Sequence, residues 1–195
     1  MQHSKWIVIK FGGTSVSSKQ RWDNIHYVLT RRLEEGFHPV VVCSALSGVT
    51  DACVKLLAAI PDPSYREHLA RVEDKYRALA AELNVDADAL LGKFFTELDQ
   101  LTRGATMIGE VSPRLRAKVT AFGELMSTTL GWAYLRNKGM NAHWKDVRGV
   151  LRAGDEGQAH FSQHYLNAQC GYMPDEKARE FFSAEENSVF ITQGF

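Results

Sequence analysis

Neither sign of charge predominates in this chain. Its 23 Lys and Arg balance 23 Asp and Glu, so no overall field draws it to nucleic acid or to an anionic membrane. No apolar run approaches the roughly 20 residues that a membrane-spanning helix needs. Met1-Gln2-His3-Ser4-Lys5 leads straight into a strand-like segment, without the apolar stretch of a secretory signal. Cysteine is scarce: Cys43, Cys53 and Cys170 form no C-x-x-C pair, and an odd set without a framework is expected as reduced thiols of a cytoplasmic protein. Cys43, inside an apolar run, is expected as a buried structural thiol. There is no Ser-His-Asp-like set, internal repeat, low-complexity tract or linker. At 195 residues the chain can bury a sizeable core as one domain, two at most.

What is present concentrates in glycine-bearing turns behind short apolar runs. Trp6-Ile7-Val8-Ile9 is followed at once by Lys10-Phe11-Gly12-Gly13-Thr14-Ser15, then by a segment patterned as an amphipathic helix. Strand, two-glycine turn and helix make a phosphate cradle. Glycines admit a ligand close to the backbone, and free N–H groups backed by a helix N-terminus favour an anion. Lys10, at the strand end, adds a mobile positive charge for a transferring phosphoryl group. The lysine precedes the glycines, so this is not a Walker A loop. A turn that merely connects two elements is the plainer reading of the same residues.

Trp22, Ile25, Leu29 and Leu33 then recur at helical spacing, and Gly36 supplies a stop. Pro39 opens Val40-Val41-Val42-Cys43, apolar on both faces as a central parallel strand requires. Ser44 to Asp51 form a second small-residue turn, with Thr50 or Asp51 expected to cap the helix that Pro61 and Pro63 end. This opening reads β-loop-α-β-loop-α, the mark of a parallel sheet with covering helices. Tyr65, Leu69, Val72, Tyr76 and Leu79 give one apolar stripe and Leu91, Phe94, Leu98 and Leu101 another, so a helical hairpin is expected at about 64–103. Ser112-Pro113 marks a helix start, running to Asn137 with Leu115, Val119, Phe122, Met126 and Leu130 inward. A short strand is expected at Ala142-His143-Trp144, a helix from Glu176 to Phe182 and a buried strand from Ser188 to Gln193.

Other polar residues have plain explanations. Arg114, Arg116 and Lys118 read as a solvated helix face, and Arg31 and Arg32 answer a helix dipole. His160 and His164 stand four apart but lack a third ligand, so no metal site is expected. Ser44 and Thr50 suit a turn and a cap. Glu124 has the position of a solvated helix glutamate, but its neighbour Gly123 weakens a helix and permits close approach.

Four separated segments resemble the amino-acid kinase family and, within it, the aspartokinases. They are Lys10-Phe11-Gly12-Gly13-Thr14-Ser15-Val16, Val42-Cys43-Ser44-Ala45-Leu46-Ser47-Gly48-Val49-Thr50-Asp51, Phe122-Gly123-Glu124-Leu125-Met126-Ser127 and Phe190-Ile191-Thr192-Gln193-Gly194-Phe195. The resemblance implies an α/β three-layer sandwich, a mainly parallel sheet flanked by helices. Residues 1–195 would form its N-terminal, substrate-binding lobe, with the hairpin at about 64–103 inserted. The family's Arg-Gly-Gly-Ser-Asp stretch, nucleotide-binding half and regulatory domains have no counterpart before Phe195. A chain closing on an apolar strand agrees, so truncation is expected and activity of this piece alone is not. The second segment is similar to aspartokinase halves of bifunctional proteins, fused to diaminopimelate decarboxylase or homoserine dehydrogenase.

The implied reaction is transfer of phosphate from ATP, with Mg2+, to the β-carboxylate of L-aspartate. The product, 4-phospho-L-aspartate, begins the route to lysine, threonine and methionine in a cytoplasmic homo-oligomer. By matched position, Lys10 is implied to bridge the β- and γ-phosphates and the attacking carboxylate, and Gly12 and Gly13 to present N–H groups to the phosphates. Ser44 and Thr50 are implied to hold aspartate, Glu124 to receive its α-ammonium, and Phe195 to edge the pocket. The chemistry agrees, because a carboxylate with a reference pKa near 4 is already a nucleophile at neutral pH. Catalysis then reduces to alignment and charge neutralisation. Two alternatives stand: a non-catalytic amino-acid-binding or assembly module, and another carboxylate kinase of the same family.

Overall fold

The computed structural model describes residues 5–151, 173, 175–182 and 188–194. Strand β1 (Trp6–Phe11) is followed by a 3-10 turn (Gly13–Val16) and helix α1 (Lys19–Glu34), then by β2 (His38–Cys43). Four helices come next: α2 (Val49–Ala58), α3 (Tyr65–Leu83), α4 (Ala87–Ile108) and α5 (Pro113–Asn137). Strand β3 (Ala142–Trp144), a 3-10 turn (Val147–Gly149), helix α6 (Glu176–Phe181) and strand β4 (Val189–Gln193) complete the described elements.

The strands form one parallel sheet in the order β1-β2-β4-β3. From β1 through β2 to β3 the chain advances in one direction across the sheet, and from β3 to β4 it steps back. Right-handed crossovers therefore put α1 to α5 on one face and α6 on the other. Side chains follow suit. Ile9, Phe11, Val41, Cys43, Val189 and Ile191 join the core that α1, α2 and α5 cover. On the opposite face, Phe190 carries Trp6, His143 and Phe182 against its ring, and Lys145 lies over Phe181 and Phe190. Sheet and helices on both sides give the three layers.

Helix termini are set locally. Ser18 accepts from the Arg21 N–H at the start of α1, Asp86 from Asp88 and Ala89 at α4, and Ser112 from Leu115 at α5 with Pro113 in the first turn. The expected cap of α2 is corrected. The helix begins at Val49 with Gly48 as N-cap, at φ 73°, so Thr50 and Asp51 already lie inside the first turn. A residue with left-handed backbone supplied the break two to three residues earlier than the expected side-chain cap. Helix α4 also runs past the stripe that marked it, to Ile108, where Gly109 at φ 76° ends it.

Helix α5 is the hub, buried on nearly every side along its second half, as expected of an interior helix. It does this with small residues at four-residue intervals: Gly123, Ser127 and Gly131. A Cβ on Gly131 would fall 1.9 Å from the Trp22 ring, and one on Gly123 would fall 2.8 Å from the Ala45 Cβ. Trp22, fully buried, is held in turn by donating from Nε1 to the Val16 carbonyl at 2.9 Å. This stripe brings α5 close beneath α1 and the loop that follows β2.

Candidate active site

In a parallel sheet with short strand-to-helix loops, ligands gather beyond the carboxyl ends of the strands. Register aligns those ends here: Phe11 pairs with Cys43, and Cys43 with Gln193. The turns led by Gly12, Ser44 and Gly194 therefore leave the sheet side by side. Lys10, in register with Val42, is exposed at the rim. Among the described residues no carboxylate forms an ion pair with its ammonium.

The first two loops are clasped together. The Ser17 hydroxyl donates to the Gly13 carbonyl at 2.5 Å and accepts the Ser47 N–H at 2.9 Å. A Cβ on Gly13 would meet the Ala45 carbonyl oxygen at 2.8 Å and the Ser47 nitrogen at 3.3 Å, so no other residue allows this approach. Around Gly12, by contrast, a Cβ would meet nothing within 4 Å. The two glycines thus serve different ends. Gly13 is demanded by loop-to-loop packing, whereas Gly12 borders open space where a phosphate chain fits against the backbone. Ser44 donates its N–H to the Phe11 carbonyl at 3.0 Å, extending the β1–β2 ladder into the second loop. Lys75, from α3, donates to the Ser47 carbonyl at 3.2 Å from outside.

Helix α5 brings Glu124 to the same rim. Its Oε2 accepts the Gly194 N–H at 2.6 Å, tying α5 to the turn after β4. Glu124 thereby anchors this turn at the rim. Just before it, the Gly123 carbonyl accepts from the buried Tyr76 hydroxyl at 2.7 Å. Next along β4, Gln193 donates to Asp146 at 2.5 Å, and Arg148 holds the same carboxylate from the other side.

Titration behaviour separates structural groups from reactive ones. Burial, with the Glu124 carboxylate adding to it, pushes the Cys43 thiol far up, and burial alone pushes Cys53 up to about 12. Both thiols are inert at neutral pH, as expected of Cys43 from its strand. Tyr76 is likewise driven well above its ordinary value, chiefly by burial. Burial pulls Asp146 upward, yet the hydrogen bonds from Arg148 and Gln193 outweigh it and leave the carboxyl below its usual value. Among the described residues no three His, Cys, Asp or Glu converge to hold a metal.

Of the residues singled out from sequence, Lys10, Gly12, Gly13, Ser44 and Glu124 thus come to one rim. Thr50 lies in the first turn of α2, on its exposed side. Phe195, His160, His164 and Cys170 fall outside the described residues. A cavity of about 580 Å³ between α4, α5 and β3, lined by Leu90, Phe94, Trp132 and Trp144 among others, contains none of the rim residues. Ser17 and Tyr76 went unnoticed in the sequence. Ser17 adjoins Ser18, which alone is needed as a cap, so the surplus serine was the available signal. Tyr76 offered none, since it sits at a core position of its helical stripe.

The sequence matches the amino acid kinase family over residues 5–195. The chain belongs to that family. Among curated relatives, it is 28% identical to a chloroplastic bifunctional aspartokinase/homoserine dehydrogenase of Daucus carota, over 97% of this chain and 20% of that protein. It is 28% identical to the lysine-sensitive aspartokinase 3 of Escherichia coli, over 98% of this chain and 41% of the relative. Its fold is similar to the crystal structure of Escherichia coli aspartokinase III in complex with aspartate and ADP. There the TM-score is 0.74 and the identity 27%, over 96% of this chain and 40% of the other. The chain therefore spans between about a fifth and two fifths of the length of these family members.

Proposed function

We propose that this amino acid kinase lobe serves the ATP-dependent phosphorylation of the β-carboxylate of L-aspartate, giving 4-phospho-L-aspartate and ADP. The observation that carries the reading is the meeting of Lys10, the Gly12–Gly13 turn, the Ser44 loop and Glu124 at one sheet rim, clasped by Ser17. Relatives named as aspartokinases support it, as does the aspartate and ADP bound in a similar structure. Because the chain spans a minor part of those relatives, turnover is proposed for these residues together with the remainder that the relatives carry.

In this reading aspartate lies with its α-ammonium on the Glu124 carboxylate and its carboxylates toward Ser44 and Thr50. Being ionised at neutral pH, its β-carboxylate attacks the γ-phosphorus in line. A P–O bond to the carboxylate forms as the bond to the β–γ bridging oxygen breaks, and ADP leaves with that electron pair. No proton moves. Lys10 and the Gly12 N–H neutralise charge spread over the phosphoryl oxygens, which is the main demand of phosphoryl transfer. Magnesium, which binds substrate phosphates with few protein carboxylates, is proposed to arrive with the nucleotide. The product would enter the route to lysine, threonine and methionine in a cytoplasmic homo-oligomer. Fusion to homoserine dehydrogenase, as in the carrot relative's name, or to diaminopimelate decarboxylase extends the same proposal.

The test is a hydroxamate assay with Mg-ATP and L-aspartate on the complete gene product, with the 195-residue chain run beside it. Aspartyl hydroxamate should accumulate with the complete product. Lys10→Ala should lower kcat by about a thousandfold or more, the scale of losing a charge-stabilising group. Absence of hydroxamate from the complete product, or near-normal turnover in Lys10→Ala, would overturn the assignment.

A further inference from the structure

We infer that Tyr76 is a positioning residue that fixes the gap between the two ends of the aspartate site, the loop bearing Ser44 and the helix bearing Glu124. The inference rests on the aspartate reading above. Tyr76 has no exposed surface. Its hydroxyl donates to the Gly123 carbonyl at 2.7 Å. The hydroxyl thus holds the peptide that precedes Glu124 against helix α3.

The neighbouring side chain reinforces the grip. Lys75 donates to the Ser47 carbonyl at 3.2 Å, and its Nζ lies 3.3 Å from where a Gly48 Cβ would stand. Helix α3 thus holds the loop through Lys75 and helix α5 through Tyr76, with consecutive residues. Loop and helix also touch directly, since a Gly123 Cβ would fall 2.8 Å from that of Ala45 and 3.2 Å from the Val49 Cγ1. Contact at bare backbone sets a minimum separation, and the paired grips of Lys75 on the loop and Tyr76 on α5 oppose a larger one. An amino acid bridging this gap places its ammonium on one wall and its side-chain carboxylate near the other. A fixed gap therefore measures the number of methylenes between them. Glutamate, longer by one, would carry its carboxylate past the in-line position. The Tyr76 ring fills core volume that phenylalanine would fill equally, so the hydroxyl can be removed without a cavity.

The experiment is Tyr76→Phe in the complete gene product, with KM for aspartate and for Mg-ATP, the aspartate-to-glutamate ratio of kcat/KM, and the melting temperature recorded together. The aspartate KM should rise about tenfold with the Mg-ATP KM within about twofold, and the aspartate-to-glutamate ratio should fall. A purely structural role would lower the melting temperature and the active fraction while leaving both KM values and the ratio alone, and that outcome overturns the inference. If Tyr76→Phe does not fold, Lys75→Ala decides. A rise of about threefold in the aspartate KM alone supports the grip, and an unchanged value refutes it. A wild-type enzyme that does not turn over aspartate removes the reading underneath. One that does, with Tyr76→Phe indistinguishable from it, removes only the role of Tyr76.

Discussion

Adjacent glycines with unequal duties permit a separation of folding from function by single substitutions. A Gly12 Cβ meets nothing within 4 Å, and the residue's φ of −75° and ψ of 172° suit any amino acid. Gly12→Ala should therefore leave stability within about 0.5 kcal/mol of wild type, as at unconstrained surface sites, and still depress turnover by crowding the phosphates. Gly13→Ala drives a methyl into the Ala45 carbonyl and should cost about 1–3 kcal/mol, in the manner of overpacked sites. Urea unfolding of both variants checks the pair, and equal stabilities would contradict the described loop packing. The glycine pair was legible from sequence as a cradle. Its division of labour was not, because Gly13 answers to a loop that lies 30 residues downstream of Ser17, at Ser47.

At the scale of elements, helices α1, α3 and α5 were readable from their apolar periods, and the short strands from runs bounded by glycine, proline or serine. The start of α2 was misplaced because serine, threonine and aspartate all advertise caps, whereas a left-handed glycine does so silently. The four-residue stripe of Gly123, Ser127 and Gly131 was visible as spacing but carried no indication of what would fill it. Trp22 on α1 fills the space at Gly131, and Ala45 and Val49 fill that at Gly123. Gly131→Ala should lower unfolding free energy by about 3 kcal/mol, at the upper end for a forced insertion, because the indole is fixed by its own hydrogen bond to Val16. Substituting Trp22→Phe in that background should recover part of the loss. No recovery would mean that the two sites do not share one contact.

At the scale of the whole molecule, an ion cluster that joins the first long helix to the end of the fifth contributes to the acid response. Asp23 accepts from Lys19 at 2.7 Å, pairs with Lys138 at 3.1 Å and accepts from the Tyr134 hydroxyl. The Lys19 bond first, then those from Tyr134 and Lys138, holds its carboxyl far below the usual aspartate range. A carboxyl depressed on folding stabilises the native state above its unfolded value near 3.9, and that contribution is lost as pH falls toward the folded one. Asp23→Asn should therefore unfold more easily than wild type at pH 6. The gap should hold constant down to about pH 5 and close steadily below about pH 4. The cluster is solvent-exposed, so salt should shrink the gap as well. A gap independent of pH would show that the carboxylate charge is not what matters.

Strand order was the part of the architecture that no local pattern announced, since it depends on which runs become neighbours. It has a consequence for synthesis. Among the described residues strand β3 pairs only with β4, and β4 also supplies the second neighbour of β2. As the polypeptide emerges from the ribosome, β1 and β2 can zip as soon as residue 43 is free, but β3 must wait for residues 189–193. Strand β4, made after both of its neighbours, is thus the keystone inserted between two earlier strands, and this part of the sheet stays unfinished from the emergence of residue 43 until that of residue 193.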